Sequence, residues 1–344
     1  LLFAGMIAAV VGLNTWLFKA HGLVLPLASV LVLMVAAFVL NIGWGYFVES
    51  SRRRGLARPF GTYVPPQLVE KMLEEPERYS MRAESKELTA MFCDMRGFTR
   101  LSERLPPLEL QGFLNDVFSR LTEIISRHGG TVDKYMGDSV MAFWGAPVDN
   151  PSHASHAVSA AIEMAAAMEA LSKVRRASGL PEVSVGIGLN TGLMSVGDMG
   201  SELRRSYTVV GDAVNLASRL EGLGVVYGVA IVASGTTAQA ASDYGWLELD
   251  LVGVKGREQA VTILTPLGLR KELESKDLDL IGLWNDVLRG YRAQQAERVE
   301  PLLDLLIAQD AKKVLYRLYA ERLASMTSRP YDPEWDGATR FESK

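Results

Sequence analysis

The chain opens on two stretches with almost no polar alternation. Residues 1–18 and 22–48 carry no charged side chain. The second stretch, GLVLPLASVLVLMVAAFVLNIGWGYFV, exceeds the roughly 20 apolar residues that cross a bilayer as a helix. The short Lys19–His21 connection between them predicts a transmembrane hairpin over 1–48, with helices at about 1–18 and 22–48. Trp44, Tyr46 and Phe47 suit a membrane interface, and Arg52, Arg53, Arg54 and Arg58 follow at once. By the positive-inside rule that end faces the cytoplasm. A signal peptide would have basic residues before its apolar run and a small-residue cleavage site, and neither is clear here.

After residue 48 the pattern changes twice. Residues 49–86 read as a cytoplasmic linker, with an Arg cluster, the YVPP turn at 63–66 and a short helix over 67–74. From 87 onward, short β-rich runs alternate with amphipathic helices. LTAMFC (88–93) is a strand. Residues 107–128 have helical apolar spacing and stop at Gly129-Gly130. TVDKYM and SVMAFWG flank Gly137-Asp138 as a hairpin. An Ala-rich helix follows over 152–173, then VSVGIGLNTG and SVGD as strand and turn, then a helix over 211–223. VAIVAS, LELDLVGVKG and AVTILTP are later strands. The opening order, βαββαβ, predicts an α+β fold with a ferredoxin-like core. That core domain runs over 87–268, and 269–344 form a C-terminal helical extension with Trp284, Leu288 and Tyr291 on one helix face.

Composition narrows the function classes. The 344 residues carry 36 Lys and Arg against 40 Asp and Glu, which argues against a basic nucleic-acid binder. One cysteine, Cys93, excludes a disulfide framework, and four histidines leave little for a histidine metal site. Cys93 reads as a small buried hydrophobe.

Two aspartates stand out by position. Asp94 follows the first strand in FCDMRGFT, and Asp138 sits in the hairpin turn. In a split βαβ fold the third strand lies antiparallel beside the first, so the two carboxylates converge. Such a pair is costly unless a cation neutralises it, and hard divalent ions are typically held by one or two carboxylates plus substrate phosphates. Gly97 lets the next turn bend closely enough for backbone N–H groups to cradle a phosphate.

Together, FCDMRGFT, DKYMGDSVMAFWGAP, VGIGLNTG and YTVVGDAVNLASRLEGL resemble the class III nucleotidyl cyclase catalytic domain over about 87–267. The N-terminal hairpin, linker and tail resemble bacterial membrane-anchored adenylate cyclases with a sensor upstream. The resemblance implies roles by position. Asp94 and Asp138 would bind two divalent metal ions, Mg²⁺ or Mn²⁺, with the backbone carbonyl of Met95 as a further ligand. Gly97, Phe98 and Thr99 would meet the nucleotide phosphates, with Arg204 and Lys255 on the triphosphate. Lys134 and Thr208 would select the base. Asn215 would orient the ribose and Arg219 would stabilise the transition state. Asn215 and Arg219, four residues apart on one helix, share a face.

Chemistry supports these roles independently. Adenine offers an acceptor at N1 and a donor at N6. Lys134 only donates, while the Thr208 hydroxyl can donate or accept. The implied function is conversion of ATP to 3′,5′-cyclic AMP and pyrophosphate by a head-to-tail homodimer with shared active sites. The implied location is the inner (plasma) membrane, multi-pass, with the catalytic domain in the cytoplasm. A guanylate cyclase and a non-catalytic nucleotide-sensing receptor module are the alternatives. The Gly-Gly-Asp/Glu-Glu-Phe turn of diguanylate cyclases and the P-loop pattern are both absent from the sequence.

Overall fold

The strand β1 (Glu84–Arg96) forms the spine of a mixed sheet that has nine strands among the described residues. The computed structural model describes residues 2–23, 26, 28–41, 44, 83–201, 205–253, 259–328 and 330–341. The chain divides into two compact units, Leu1–Pro59 and Phe60–Lys344.

In the first unit, α1 (Leu2–His21) and a second helix, α2 (28–41), touch where the rings of Phe3 and Phe38 stack at 4.2 Å. Among the described residues no helix is long and apolar enough to cross a membrane. Asn14, Thr15 and Lys19 interrupt the apolar run of α1, and the described part of α2 spans only about 21 Å at 1.5 Å per residue. The sequence expectation of two membrane spans is therefore not matched by any described helix that is both long and apolar enough. Much of the expected second span's ends, the Arg52–Arg58 cluster and the 67–74 helix lie outside the described residues.

In the second unit β1 is followed by α3 (Phe98–Ser102), α4 (Pro107–Arg127), β2 (Thr131–Met136), β3 (Ser139–Trp144), α5 (His153–Ala177) and β4 (Ser184–Gly200). The order β2-β3-β1-β4, antiparallel at each step, is the split βαβ arrangement expected from the sequence. β4 continues into an antiparallel partner, β5 (Arg205–Val210), and then α6 (Asp212–Tyr227). Next come β6 (Ile231–Ser234), α7 (Gly235–Ala240), β7 (Tyr244–Gly253) and β8 (Val261–Leu269). The chain finishes with α8 (Ser275–Arg292), α9 (Ala296–Gln309), α10 (Val314–Thr327) and β9 (Thr339–Arg340).

The helices form because their apolar positions recur on one face. In α4, Val117, Leu121, Ile124 and Ile125 are buried at helical spacing, Pro107 occupies the first turn, and Gly129 at φ 71° follows the end. These residues join Met91, Cys93, Trp144, Met164 and Ile187 in one core. A second core joins Leu216, Leu220 and Tyr227 of α6 to Leu247 and Leu249 of β7 and to the C-terminal helices. Trp284 is fully buried there, with its ring 5.0 Å from that of Tyr319 and 84° to it. The tail helices thus share a core with the helix that carries Asn215 and Arg219.

Two elements run longer than the sequence pattern suggests. β1 begins at Glu84 and includes Asp94, and β4 is one continuous strand of 17 residues. The polar ends of both strands are exposed, so burial cannot mark them, but backbone pairing from Glu84↔Val196 to Arg96↔Ser184 holds them.

Candidate active site

The β1–β3 pairing builds the carboxylate edge. Cys93 lies opposite Val140, which brings Ser139 and the Gly137-Asp138 turn beside Asp94. Gly137 takes φ 65°, a left-handed value natural to glycine, and closes the hairpin. The Ser139 hydroxyl donates to Oδ1 of Asp94. Burial, then the Asp94 charge, pushes the Asp138 carboxyl above the usual carboxylate range. Glu221 on α6 is raised by burial and by the charge of Asp94, with Arg96 pulling it down and Asp138 adding a smaller push. Three carboxylates therefore share one electrostatic neighbourhood, although among the described residues no group of three His, Cys, Asp or Glu is placed to hold a metal. Asp94 and Asp138 alone fit a hard divalent ion that takes its other oxygens from phosphate and water. The Met95 side chain is buried in the core, so only its backbone could contribute a ligand.

Just beyond, Gly97 at φ 76° turns β1 into α3, and a Cβ there would meet nothing within 4 Å. Phe98 anchors this turn by packing against the core, and Thr99 stays exposed. Cys93 is buried behind the edge, and burial with the neighbouring Asp94 and Glu221 charges pushes its thiol far up, as a structural cysteine requires.

Lys134 and Thr208, expected from the sequence to select the base, lie on β2 and β5. A register shift between Val132 and Lys134 leaves Asp133 at a bulge in β2. Bulges re-aim side chains, and here Asp133 becomes fully buried beside the exposed Lys134. Thr208, buried in β5, donates its hydroxyl to Oδ2 of Asp133 at 2.6 Å. Lys134 Nζ stands 3.7 Å from Oδ1 of the same carboxylate.

Asn215 and Arg219 rise from α6. That helix sits unusually close to the sheet: a Cβ on Gly188 would lie 2.2 Å from the Ala217 carbonyl oxygen and 2.3 Å from the Glu221 nitrogen. Only glycine permits this approach. Asn215 is exposed, and Arg219 is half-buried with a buried Nη1 that has no hydrogen-bond partner among the described residues. An orphaned guanidinium donor is a ready partner for phosphate. Glu221, two residues on, projects about 160° away from Arg219 around the helix. The helix therefore shows Arg219 to one side and Glu221 to the aspartate edge.

The chain thus holds two sets of groups: Asp94, Asp138 and Ser139 at one edge, and Asp133, Lys134 and Thr208 at another. Among the described residues no hydrogen bond or ion pair joins them. Arg204 and Lys255 lie outside the described residues. Sequence reasoning missed Asp133, Ser139 and Glu221. The Asp133 signal was a charged residue inside a β-run, visible only once the bulge is known.

Residues 81–265, more than half the chain, match the family described as the adenylate and guanylate cyclase catalytic domain. The chain belongs to this cyclase family. It is 37% identical over 228 residues to adenylate cyclase 1 of Rhizobium meliloti, covering 66% of this chain and 34% of that protein. It is 36% identical over 189 residues to an adenylate cyclase of Anabaena cylindrica, covering 53% of this chain and 37% of that one. The chain therefore spans about a third of the length of these curated relatives. Among solved structures, the adenylyl cyclase CyaB of P. aeruginosa aligns with TM-score 0.52 at 36% identity, covering 56% of this chain and all of that one. The guanylyl cyclase Cya2 aligns with TM-score 0.50 at 35% identity, covering 56% of this chain and 97% of that one. Overall similarity places the cyclase fold and leaves the choice of base to the site itself.

Proposed function

We propose that this cyclase converts ATP to 3′,5′-cyclic AMP and pyrophosphate. The observation that carries the reading is the meeting of Asp94 and Asp138 at the β1–β3 edge, in a chain that also bears donor-only Lys134 beside Thr208. Asp94 and Asp138 would hold a divalent metal, Mg²⁺ or Mn²⁺, which would supply polarisation of the ribose 3′-hydroxyl and neutralisation of phosphate charge. The ribose 3′-oxygen gives up its proton to solvent and attacks the α-phosphorus in line, and the bond from that phosphorus to the bridging oxygen breaks to release pyrophosphate. The residues of the chain bind and orient. Lys134 donates to adenine N1, Thr208 accepts from N6, Asn215 holds the ribose, and the unpaired Nη1 of Arg219 meets charge growing on the α-phosphate. Gly97, Phe98 and Thr99 present backbone to the β- and γ-phosphates, with Arg204 and Lys255 as further triphosphate contacts.

The separation of the two sets within one chain favours a head-to-tail homodimer. Each site then combines Asp94 and Asp138 of one subunit with Lys134, Thr208, Asn215 and Arg219 of its partner. Exposed apolar side chains on β2, β4 and β5, namely Met136, Leu193 and Val210, support a covered surface there. Membrane attachment through residues 1–48, with the cyclase domain in the cytoplasm, is part of the same proposal. It rests on the uncharged run and on the exposed Trp16, Leu33 and Leu40. Product analysis after separate incubation with ATP and GTP, each with Mn²⁺, tests the reading. Cyclic AMP as the dominant product is expected; cyclic GMP as the dominant product, or neither, overturns it.

A further inference from the structure

Of the two base-contact residues, Lys134 alone carries a fixed preference for adenine. Lys134 can only donate, but a threonine hydroxyl satisfies a donor or an acceptor equally well. A free Thr208 would accept from the N6 amino group of adenine and, after rotating its proton, donate to O6 of guanine. The structure removes that freedom. The single hydroxyl proton of Thr208 is already committed, at 2.6 Å, to Oδ2 of Asp133.

We propose that Asp133 is a specificity-determining positioning residue, which fixes the Thr208 hydroxyl as an acceptor and so makes the base pocket select adenine over guanine. The inference rests on the cyclase reading above and deepens it. With the proton held behind it, Thr208 offers only lone pairs to the pocket. Adenine N6 fills them. Guanine O6 would face an acceptor, and its N1–H would face the Lys134 ammonium. Both guanine contacts are then unpaired, and a polar pocket left unpaired is what gives strong rejection.

Three features mark this as a built arrangement. The β2 bulge between Val132 and Lys134 turns Asp133 inward, breaking the strand's alternation so that Thr131, Val132 and Asp133 are buried in succession. The carboxylate also faces Lys134 Nζ at 3.7 Å. Burial pushes this carboxyl above the usual carboxylate range, and the Thr208 hydroxyl and the donor-only Lys134 ammonium pull it back toward the ionised form that takes the Thr208 proton. Finally, Asp133 is 2% exposed, and among the described residues its Oδ1 has no hydrogen-bond partner. Burying a carboxylate with one oxygen unsatisfied costs stability, where an apolar residue would cost none. Packing alone does not explain the choice.

The test is the ratio of kcat/KM for ATP to that for GTP, measured on the full chain with Mn²⁺, for wild type, Asp133→Asn, Thr208→Val, Thr208→Ser and the Asp133→Asn/Thr208→Val double variant. In Asp133→Asn the amide can donate to Thr208, which frees the hydroxyl proton to meet guanine O6. The ratio is expected to fall about tenfold or more, with GTP turnover rising in absolute terms. Thr208→Val should lower the ratio without raising GTP turnover, and Thr208→Ser should restore it. In the Thr208→Val background, Asp133→Asn should change the ratio less than about twofold, because the hydroxyl it acts on is gone. A purely structural Asp133 predicts equal losses for both nucleotides and an unchanged ratio, and that result overturns the proposal. Should Asp133→Asn fail to fold, as read by circular dichroism, the Thr208 pair still decides: a ratio indifferent to Val or Ser at 208 overturns it. Wild type that makes cyclic AMP while Asp133→Asn keeps the ratio sinks this proposal alone. Wild type that makes no cyclic AMP sinks the cyclase reading and this proposal with it.

Discussion

Tyr227 donates its hydroxyl to Oδ2 of Asp250 at 2.7 Å and so fastens the last turn of α6 to the middle of β7. The same oxygen accepts from Arg322 Nη1 and from the Thr339 hydroxyl, each at 2.7 Å. Asp250 is 1% exposed. Burial works against the Arg322 charge, but Asp250 and Tyr227 outweigh it and hold the guanidinium firmly protonated. One buried carboxylate therefore ties the helix bearing Asn215 and Arg219 to α10 and β9. Asp250→Ala leaves the Arg322 charge buried and unpaired, a loss of about 3–5 kcal/mol. Thermal unfolding should show a Tm lower by about 10 °C or more, with cyclase activity falling in step. An unchanged Tm would remove Asp250 from this role.

The raised carboxyls at the β1–β3 edge make stability depend on metal and pH. Asp138 and Glu221 hold protons more tightly in the folded chain than in the unfolded one. Each therefore costs stability while ionised, and the cost is relieved as pH falls through the raised folded value toward the ordinary carboxylate range near about 4. Metal-free protein should gain Tm from these groups on mild acidification below neutrality. At neutral pH, Mn²⁺ should raise the Tm of wild type. Asp138→Asn should raise the metal-free Tm slightly, by about 2–4 °C at most, and abolish the Mn²⁺ shift. A metal shift retained in that variant would place the ion elsewhere.

Arg219→Ala should lower kcat about 10²–10³-fold, the usual cost of losing one transition-state donor, with a smaller change in KM for ATP. Mixing this variant with Asp138→Ala tests the shared-site dimer. Half of randomly formed dimers would be mixed, and each would hold one intact site, so about a quarter of wild-type activity should return. No recovery on co-expression would confine each site to one chain.

Much of this site was legible because its chemistry sits in short contiguous runs. FCDMRGFT and DKYMGDSVMAFWG carry strand, turn and carboxylate together, and the βαββαβ order that brings Asp94 to Asp138 follows from hydrophobic periodicity alone. Asp133 was not legible, because a β-bulge is a backbone event with no composition signal, and its partner Thr208 lies 75 residues away. The role of Glu221 depended on the close seating of α6 over Gly188, which is a packing fact. The length of β1 escaped because the exposed polar residues at 84–87 are held by pairing and not by burial. In the C-terminal helices the apolar face of Trp284, Leu288 and Tyr291 was readable, but its destination against α6 was not.

The role proposed for Asp94 and Asp138 is to organise cyclisation of ATP. It is tested most directly by cyclic AMP production from ATP and Mn²⁺ by the wild-type chain beside Asp94→Ala, with matched folding confirmed by circular dichroism. Wild type should make cyclic AMP and pyrophosphate in equal amounts, and the variant should lose at least about 100-fold of that activity. Equal cyclic AMP production by both proteins would contradict that role.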